Sequence, residues 1–307
     1  MNNSLDIEIA IFFKRVFSYY IRKRIPVKLI IDPEVEAEEK WLSNFNEQNS
    51  FEFNLTEDIK VILHKDSKLC KLIYVSFEET EICFLKKFIN KGDCFFDIGA
   101  NIGLFSLHAS KIIGDNGKII AFEPTPITFN RLKSNIEINR FLNIKTENIG
   151  LSDTCGMIKF HTSNDGYDAW NSFATLTDIG ECSEIDVTTD TLDNYIQKSN
   201  IEKIDLIKLD VEGWELNVLK GATELLSKSD SPVLLVEFTE TNAFAAGYYC
   251  GELFDFVKSF GYEWYSYNVE SNKLIIQHKK LHYPYENLIA IKDIADCYQR
   301  LNKKMFH

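Results

Sequence analysis

The chain of 307 residues lacks the long apolar runs that mark membrane proteins. A helix that spans a bilayer needs about 20 consecutive apolar residues, and no run in the sequence approaches that length. The amino terminus also lacks an apolar core followed by small residues, which is the pattern of a cleaved signal peptide. We therefore expect a soluble, cytoplasmic protein with neither a membrane span nor a secretory leader.

Cysteines are few, and their positions show no pairing pattern. They are odd in number and scattered without a C-x-x-C spacing, at Cys70, Cys83, Cys94, Cys155, Cys182, Cys250 and Cys297. This distribution argues against a disulfide framework and against a structural zinc site. It is typical of a protein that folds around a hydrophobic core in a reducing compartment.

Positive charge is in deficit as well. The sequence has 34 Lys and Arg against 46 Asp and Glu, so its formal net charge is −12. Binding to nucleic acid usually needs a basic face that neutralises phosphates. We therefore expect no nucleic-acid partner and favour a small-molecule or glycan acceptor.

One basic amphipathic segment, residues 14–28, departs from this average charge. Its Lys and Arg residues are interleaved with aromatic and aliphatic residues. Two interpretations stay open for it. The segment is either a helix that covers the domain or joins two subunits as a homodimer, or a peripheral contact with an anionic membrane surface.

Beyond residue 75, apolar runs of strand length alternate with segments of helical periodicity. This alternation predicts an α/β domain with a mostly parallel sheet and helices on both faces. The predicted strands are 94–96, 119–122, 144–149, 204–209 and 233–238. The predicted helices are 78–89, 104–113, 127–139, 216–226 and 252–260. Two hairpins are also predicted, one that pairs 59–64 with 69–74 and one that pairs 262–267 with 274–278. We expect an accessory region at residues 1–75, the main domain at 76–295 and a tail at 296–307.

The sequence DIGANIG at residues 97–103 joins an apolar strand to a helix. Gly99 allows a positive φ and a close ligand, and Gly103 lets the helix pack closely on the strand. A carboxylate at the strand end, Asp97, would repel a pyrophosphate and attract a cationic ligand. S-adenosylmethionine carries an ammonium and a sulfonium but no phosphate, so the loop favours it as the cofactor. The alternative role for Asp97 is a helix N-cap.

A second predicted strand ends at Glu123. An acidic side chain about 20 residues beyond a glycine loop can bind both ribose hydroxyls of an adenosine cofactor. The alternative is an ordinary solvated strand end, since Pro124 alone explains why the strand stops. The coincidence of two acidic strand ends with one glycine loop favours the cofactor interpretation.

A third segment, KLDVEGWE at residues 208–215, completes a set of motifs. The glycine loop, the FEP strand end at residues 122–124 and this segment occur in the order seen in the FkbM family of S-adenosylmethionine-dependent methyltransferases. The chain resembles that family over residues 78–262. The resemblance implies a Rossmann-like class I methyltransferase fold with a seven-stranded sheet, and methylation of a hydroxyl group on a sugar or related metabolite, for example in building a surface polysaccharide. The cofactor-binding residues that we expect are Asp97, Gly99, Ala100, Asn101, Gly103, Glu123, Ser152 and Asp210.

Methyl transfer from a sulfonium to a hydroxyl is an in-line displacement in which the oxygen must lose its proton. Asp210 ends a predicted strand at the carboxyl edge of the sheet, where open α/β domains bind ligands, and we expect it to be the general base. The other candidate catalytic residues are Lys208, Glu212 and Glu237. A structural ion pair is the alternative role for Lys208, and His161 is the alternative base.

A second mechanism would use a metal ion. Asp210 and Glu237 end neighbouring predicted strands and together could hold one Mg²⁺, which would lower the pKa of the acceptor hydroxyl. We favour metal-independent catalysis, because no histidine or third strand-end carboxylate completes an obvious site.

A polar and aromatic insertion at residues 152–191 interrupts the alternation. Within it, Tyr167, Asp168, Trp170 and Asn171 suit a sugar acceptor, because sugars stack on aromatic rings and bind through directed hydrogen bonds. The alternative is a long loop that packs its own aromatic residues.

Two functions from other classes stay as alternatives. A nicotinamide-dependent oxidoreductase would share the Rossmann-like fold, but residues 97–103 lack the G-x-G-x-x-G spacing of such enzymes. The other alternative is a non-catalytic binding module that kept the cofactor fold; the intact acidic residues Asp97, Glu123 and Asp210 argue against it.

Overall fold

The computed structural model describes residues 33–163 and 182–303. Its helices, numbered in chain order, are α1 Pro33–Ser43, α2 Lys68–Tyr74, α3 Glu79–Phe88, α4 Leu104–Ile113, α5 Pro126–Asn139, α6 Leu192–Ser199, α7 Glu215–Lys220, α8 Thr223–Ser227, α9 Glu240–Ala245, α10 Cys250–Ser259 and α11 Ile294–Leu301. Its strands are β1 Ser50–Thr56, β2 Ile59–His64, β3 Cys94–Ile98, β4 Lys118–Phe122, β5 Ile144–Glu147, β6 Gly150–Leu151, β7 Gly156–Ser163, β8 Cys182–Asp190, β9 Leu206–Leu209, β10 Val233–Phe238, β11 Glu263–Asn268, β12 Lys273–Ile276 and β13 Glu286–Ile291. Among these described helices, none combines the length and the apolarity needed to cross a membrane.

Two compact units make up the chain, residues 1–47 and residues 48–307. In the described part of the first unit, the rings of Trp41 and Phe45 meet edge to face with their centroids 4.7 Å apart. The second unit contains the central sheet and every candidate site residue treated below.

The central sheet of the described residues has eight strands in the order β12-β11-β13-β10-β9-β3-β4-β5. Strands β10, β9, β3, β4 and β5 are parallel, while β13 and β12 run antiparallel to their neighbours. Strand β9 is buried along its whole length, as a strand is when helices cover both faces of its sheet. The predicted α/β architecture is confirmed, and the sheet has one strand more than the seven expected.

The strand order reverses between β3 and β9. From β3 the chain proceeds outward through β4 and β5, whereas β9 and β10 lie on the other side of β3. Helices that leave neighbouring strands in opposite directions open a crevice at the carboxyl ends of those strands, and ligands of such sheets bind there. The DIGANIG loop follows β3 and the KLDVEGWE segment follows β9, so both motifs border this crevice.

The hairpin predicted from residues 59–64 and 69–74 is wrong. Strand β2 pairs instead with β1, and residues 68–74 form helix α2, in which Ser67 caps the first turn by accepting a hydrogen bond from the Cys70 amide (3.0 Å). The buried residues of this segment are Leu69, Cys70 and Ile73. Because their spacing of one and then three residues fits one face of a helix, helical periodicity outweighs the β-like composition.

Other elements between β9 and the end of the chain also differ from expectation. Strand β13 was not predicted; it lies between β10 and β11 and pairs with both. The single helix predicted over residues 216–226 is divided into α7 and α8 at Gly221, where a Cβ would overlap the carbonyl oxygen of Ser152. Helix α9 was likewise missed, because six residues are too few for periodicity to show.

Helix α11 carries an arginine that joins two strands at the amino end of the sheet. Arg300 forms ion pairs with Asp93 (2.7 Å), which precedes β3, and with Asp205 (2.9 Å), which precedes β9. Asp205 in turn accepts a hydrogen bond from the Cys94 amide (2.9 Å). These contacts hold β3 and β9 together at the end opposite to the crevice.

His108, in helix α4, is buried, and its Nδ1 atom has no hydrogen-bond partner among the described residues. Burial, together with the Lys86 ammonium, lowers the pKa of His108 from 6.5 to about 4. The unfolded chain therefore takes up this proton near pH 6.5, while the folded chain takes it up only near pH 4. The part of the unfolding free energy that depends on a neutral His108 is fully present above pH 6.5 and is lost as the pH falls towards 4.

We expect His108→Gln to remove part of the fall in unfolding free energy between pH 6.5 and 4, because glutamine does not titrate. Urea unfolding of both proteins at the two ends of this range measures the effect. Burial also lowers the pKa of His64 to about 4. The unfolding free energy of the double variant with His64→Gln should therefore depend even less on pH. A His108→Gln protein whose unfolding free energy falls with pH as steeply as that of the wild type would show that His108 does not cause this fall.

Candidate active site

The glycine loop lies against the end of strand β9. Gly99 has a φ of +81°, and a Cβ at this position would overlap the backbone carbonyl oxygen of Asp210. The amides of Gly99 and Ala100 both donate to the carbonyl oxygen of Phe122, at 3.1 and 2.9 Å. Gly103 has a φ of +96° immediately before helix α4. The loop therefore needs glycine at both positions and is fixed to β4 and β9.

Asp97, on strand β3, is buried at the crevice. Its Oδ2 atom accepts hydrogen bonds from the amide (3.0 Å) and hydroxyl (2.6 Å) of Ser106, the third residue of helix α4. Its Oδ1 atom has no hydrogen-bond partner among the described residues. Burial raises the pKa of Asp97, although the Lys208 ammonium opposes this shift. Asp97 thus binds the helix start, as its alternative role requires, and keeps one buried oxygen available.

Glu123 is tied to the glycine loop. Its Oε2 atom accepts from the Asn101 amide (3.0 Å) and its Oε1 atom from the Thr125 amide (2.9 Å). Glu123 is only 5% exposed, which contradicts the alternative of a solvated strand end. A carboxylate oxygen has more than one acceptor site, so these bonds orient Glu123 without exhausting its capacity for ribose hydroxyls.

Lys208 and Asp210 form an ion pair with 2.6 Å between Nζ and Oδ2. The Lys208 ammonium also lies 4.5 Å from the centre of the Phe105 ring, and its residue is the register partner of Asp97 on β3. Burial alone would lower the pKa of Lys208, but the carboxylates of Asp210, Glu78 and Asp97 outweigh it and raise the pKa above its usual value. Lys208 therefore stays protonated, which excludes it as a base and makes it a cationic partner of Asp210.

Three carboxylates converge beside this ion pair: Asp210, Glu212 and Glu237 offer oxygen atoms within 4.8 Å of one another. Glu212 reaches the group because residues 212 and 213 both have a positive φ, of +52° and +96°. Asn242 donates to Glu212 at 2.7 Å, and a Cβ on Gly213 would overlap the Asn242 carbonyl. The sequence shows no third strand-end carboxylate beside Asp210 and Glu237; the structure supplies the third carboxylate from the turn after β9, which directs Glu212 back to the strand ends.

Glu237 is the most buried member of this carboxylate cluster. Its Oε1 atom accepts from the Thr239 hydroxyl (2.8 Å), and its Oε2 atom has no hydrogen-bond donor among the described residues. Burial raises the pKa of Glu237 well above its usual value, and the nearby charges of Glu212 and Asp210 raise it further. Burial likewise raises the pKa of Glu212, with Asp210 as the next cause.

Glu215 holds the turn that presents the cluster. One of its oxygens accepts from the amides of Val211 (3.0 Å) and Gly213 (3.1 Å), and the other from the Tyr248 hydroxyl (3.0 Å). Burial raises the pKa of Glu215 to about 7. Because both oxygens bind protein groups, Glu215 fixes the backbone between Asp210 and helix α7.

The structure adds residues to the site that sequence reasoning missed. Glu78, with a φ of +52° just before helix α3, accepts from the Tyr285 hydroxyl (3.4 Å) and from Asn287 (3.3 Å). Asn287 is the register partner of Glu237. Burial raises the pKa of Glu78 to about 8. These residues come from segments far apart in the sequence, and only the position of β13 brings them together.

Of the remaining predicted site residues, some lie in the described part of the chain and others lie outside it. Ser152 is buried and accepts a hydrogen bond from the Trp214 indole (3.1 Å), so it contacts the KLDVEGWE turn. The insertion contains an antiparallel hairpin of β7 and β8, and His161 lies on β7 opposite Glu184. The four predicted acceptor residues, Tyr167, Asp168, Trp170 and Asn171, lie outside the described residues, as does the basic segment 14–28.

The model of the methyltransferase FkbM domain matches residues 97–264, more than half of the chain. The chain belongs to the FkbM methyltransferase family. The predicted family is thus confirmed, and with it an S-adenosylmethionine-dependent methyltransferase of the Rossmann-like class I fold. Family membership also decides against the nicotinamide oxidoreductase and the non-catalytic module.

Two curated relatives and one solved structure illustrate the similarity. The hexuronic acid methyltransferase AglP of Haloferax volcanii is 32% identical, over 48% of this chain and 58% of its own length. The 31-O-demethyl-FK506 methyltransferase FkbM of Streptomyces tacrolimicus is 31% identical, over 47% of this chain and 66% of its own length. The chain thus spans less than two thirds of either relative. The structure of methyltransferase FkbM from Methylobacillus flagellatus has a TM-score of 0.41 and 15% identity, covering 66% of this chain and 44% of that one.

Proposed function

We propose that this methyltransferase transfers the methyl group of S-adenosylmethionine to a hydroxyl group of a sugar or a related hydroxylated metabolite. The observation that carries the proposal is the buried Lys208–Asp210 pair with two more carboxylates at the carboxyl ends of β9 and β10. Such a group suits an acceptor that must lose a proton, as a hydroxyl does. The relatives named for a hexuronic acid and for an O-demethyl compound support an oxygen acceptor.

The crevice suits the cofactor for three reasons. Gly99 holds the loop directly against β9, where a Cβ would overlap the Asp210 carbonyl oxygen, the buried Oδ1 atom of Asp97 has no hydrogen-bond partner among the described residues, and Glu123 is held beside the loop. S-adenosylmethionine supplies a methyl group already activated on a sulfonium. We assign Glu123 to its ribose and the loop residues Gly99 to Gly103 to the rest of the cofactor.

In the proposed reaction, Asp210 accepts the hydroxyl proton while the acceptor oxygen forms its bond to the methyl carbon and the carbon–sulfur bond breaks. Lys208 keeps the Asp210 carboxylate in place through the 2.6 Å ion pair. Glu212 and Glu237, which offer oxygen atoms within 4.8 Å of Asp210, help to orient the acceptor oxygen. We also keep the proposal that the insertion, with Trp170 and its neighbours, binds the acceptor.

Turnover assays test this proposal. We expect S-adenosylhomocysteine to form when the protein is given S-adenosylmethionine and hydroxylated acceptors such as hexuronic acids, and the product to carry an O-methyl group by mass spectrometry. A product methylated at nitrogen or carbon, with none at oxygen, would contradict the assignment of acceptor class.

Glu123→Ala should weaken binding of S-adenosylhomocysteine by about tenfold to a hundredfold, the equivalent of roughly 1.5–3 kcal/mol for hydrogen bonds to a charged group. Isothermal titration calorimetry measures the loss. The matched control is Glu137→Ala, which removes an exposed carboxylate from helix α5 and should leave affinity unchanged. Wild-type affinity in a folded Glu123→Ala protein would show that the ribose is bound elsewhere.

A further inference from the structure

We propose that Asp210, Glu212 and Glu237 bind one divalent cation of the Mg²⁺ or Mn²⁺ type at the active site. The location of this metal beside the acceptor hydroxyl rests on the proposed function, whereas the binding itself does not. The sequence favoured a metal-free mechanism because it showed no third strand-end carboxylate, whereas the turn after β9 brings Glu212 to Asp210 and Glu237.

The spacing of the three residues fits a single ion. Their ligand oxygens lie within 4.8 Å of one another. Oxygen ligands surround Mg²⁺ at about 2.0–2.1 Å and Ca²⁺ at about 2.3–2.6 Å, so oxygens on opposite sides of one ion are about 4–5 Å apart. A set of carboxylates without histidine or cysteine is typical of sites for hard cations, whereas zinc sites usually include nitrogen or sulfur ligands.

A separate observation shows that the cluster is incomplete without a further group. Glu237 is only 5% exposed, and its Oε2 atom has no hydrogen-bond donor among the described residues. Burying an ionised carboxylate oxygen without a hydrogen-bond donor or a cation is costly. The Lys208 ammonium is bound to Asp210 at 2.6 Å and does not contact the Oε2 atom of Glu237, so the ionised cluster keeps a net negative charge. A divalent cation would offset this charge and complete the coordination of Glu237.

The other oxygens of the cluster are held as a metal site requires. Thr239 donates to Oε1 of Glu237 at 2.8 Å, and Asn242 donates to Oε2 of Glu212 at 2.7 Å. Partners of this kind orient ligands before the ion arrives, which raises affinity. Three protein ligands leave positions for water or for the acceptor hydroxyl, whose proton the ion would make more acidic.

Titration of the full chain with Mn²⁺, followed by electron paramagnetic resonance of the free ion, tests the inference without any need for turnover. We expect one saturable site in the wild-type protein and at least a tenfold weaker site in Glu237→Gln. The control, Glu137→Gln, changes an exposed carboxylate on α5 and should bind as the wild type does. Glu212→Gln serves as the second variant if Glu237→Gln does not fold.

Absence of saturable Mn²⁺ binding, or equal binding by the wild type and a folded Glu237→Gln or Glu212→Gln variant, would overturn the metal site and favour carboxylates that share protons. The two proposals fail in different ways. Methyl transfer to a hydroxyl by a protein that shows no saturable Mn²⁺ binding would keep the proposed function and refute the metal. Saturable Mn²⁺ binding that Glu237→Gln weakens, in a protein that methylates only nitrogen or carbon, would keep the metal and refute the proposed acceptor.

Discussion

Asp210→Asn is expected to lower kcat at least about a hundredfold, the range in which a positioned general base contributes. The asparagine oxygen can still accept from the Lys208 ammonium, which lies 2.6 Å from Oδ2 in the wild type, so Lys208 keeps a hydrogen-bond partner. What is lost is the negative charge that accepts a proton or holds a cation. Binding of S-adenosylhomocysteine should be nearly unchanged, because the Asp210 backbone, not its carboxylate, borders the glycine loop.

The matched control is Asp255→Asn, which removes the carboxylate of an exposed ion pair between Asp255 on α10 and Lys279 (2.5 Å). It should retain full activity. Single-turnover kinetics and calorimetry separate the catalytic loss from a loss of cofactor. A folded Asp210→Asn protein with wild-type kcat would move the role of base to Glu212 or His161.

Gly99→Ala should both destabilise the fold and abolish cofactor binding. The backbone at Gly99 has a φ of +81°, and the added methyl group would overlap the Asp210 carbonyl oxygen, which is fixed by the hydrogen bond between the Asp210 amide and Ile98 (3.0 Å). A left-handed conformation costs about 1–2 kcal/mol for a residue with a Cβ. The overlap adds to that cost, because strand β9 or the loop must move, and we expect a total loss of at least about 3 kcal/mol.

Gly92→Ala separates the two causes of this loss. Gly92 has a φ of +85°, but no atom lies within 4 Å of its Cβ position. Its variant should therefore show only the conformational cost of about 1–2 kcal/mol and should bind S-adenosylhomocysteine normally. Chemical denaturation and calorimetry measure both quantities. Equal effects of the two substitutions would show that the approach of the glycine loop to β9 is not a requirement of the site.

Sequence reasoning succeeded where a local pattern determines the structure. Helix α4 and strand β10 begin and end where periodicity and apolar content predict. Asp97, Glu123 and Glu237 lie at strand ends because parallel strands bring their carboxyl ends to one edge of the sheet. The strand predicted over residues 69–74 was wrong because this short apolar run fits both a strand and a helix. Only its packing decides between the two.

The active site was harder to predict than the fold, because its convergence depends on distant or unusual backbone. Glu212 joins the cluster through a positive φ that a residue other than glycine seldom adopts. Glu78 and Asn287 meet only because β13 pairs with β10. No periodicity in either segment indicates that contact. The position of the third carboxylate and the surroundings of Lys208 could therefore be found only from the structure.

We propose that the cofactor lies between Glu123 and the carboxylate cluster, with its methyl group directed at Asp210. A crystal structure of the complex with S-adenosylhomocysteine tests it most directly. We predict ribose hydroxyls within hydrogen-bond distance of Glu123, and a sulfur atom that faces Asp210, Glu212 and Glu237 across a gap that one acceptor oxygen and the methyl group would fill. A complex in which the sulfur faces away from these three carboxylates, or in which the ribose does not contact Glu123, would contradict the account.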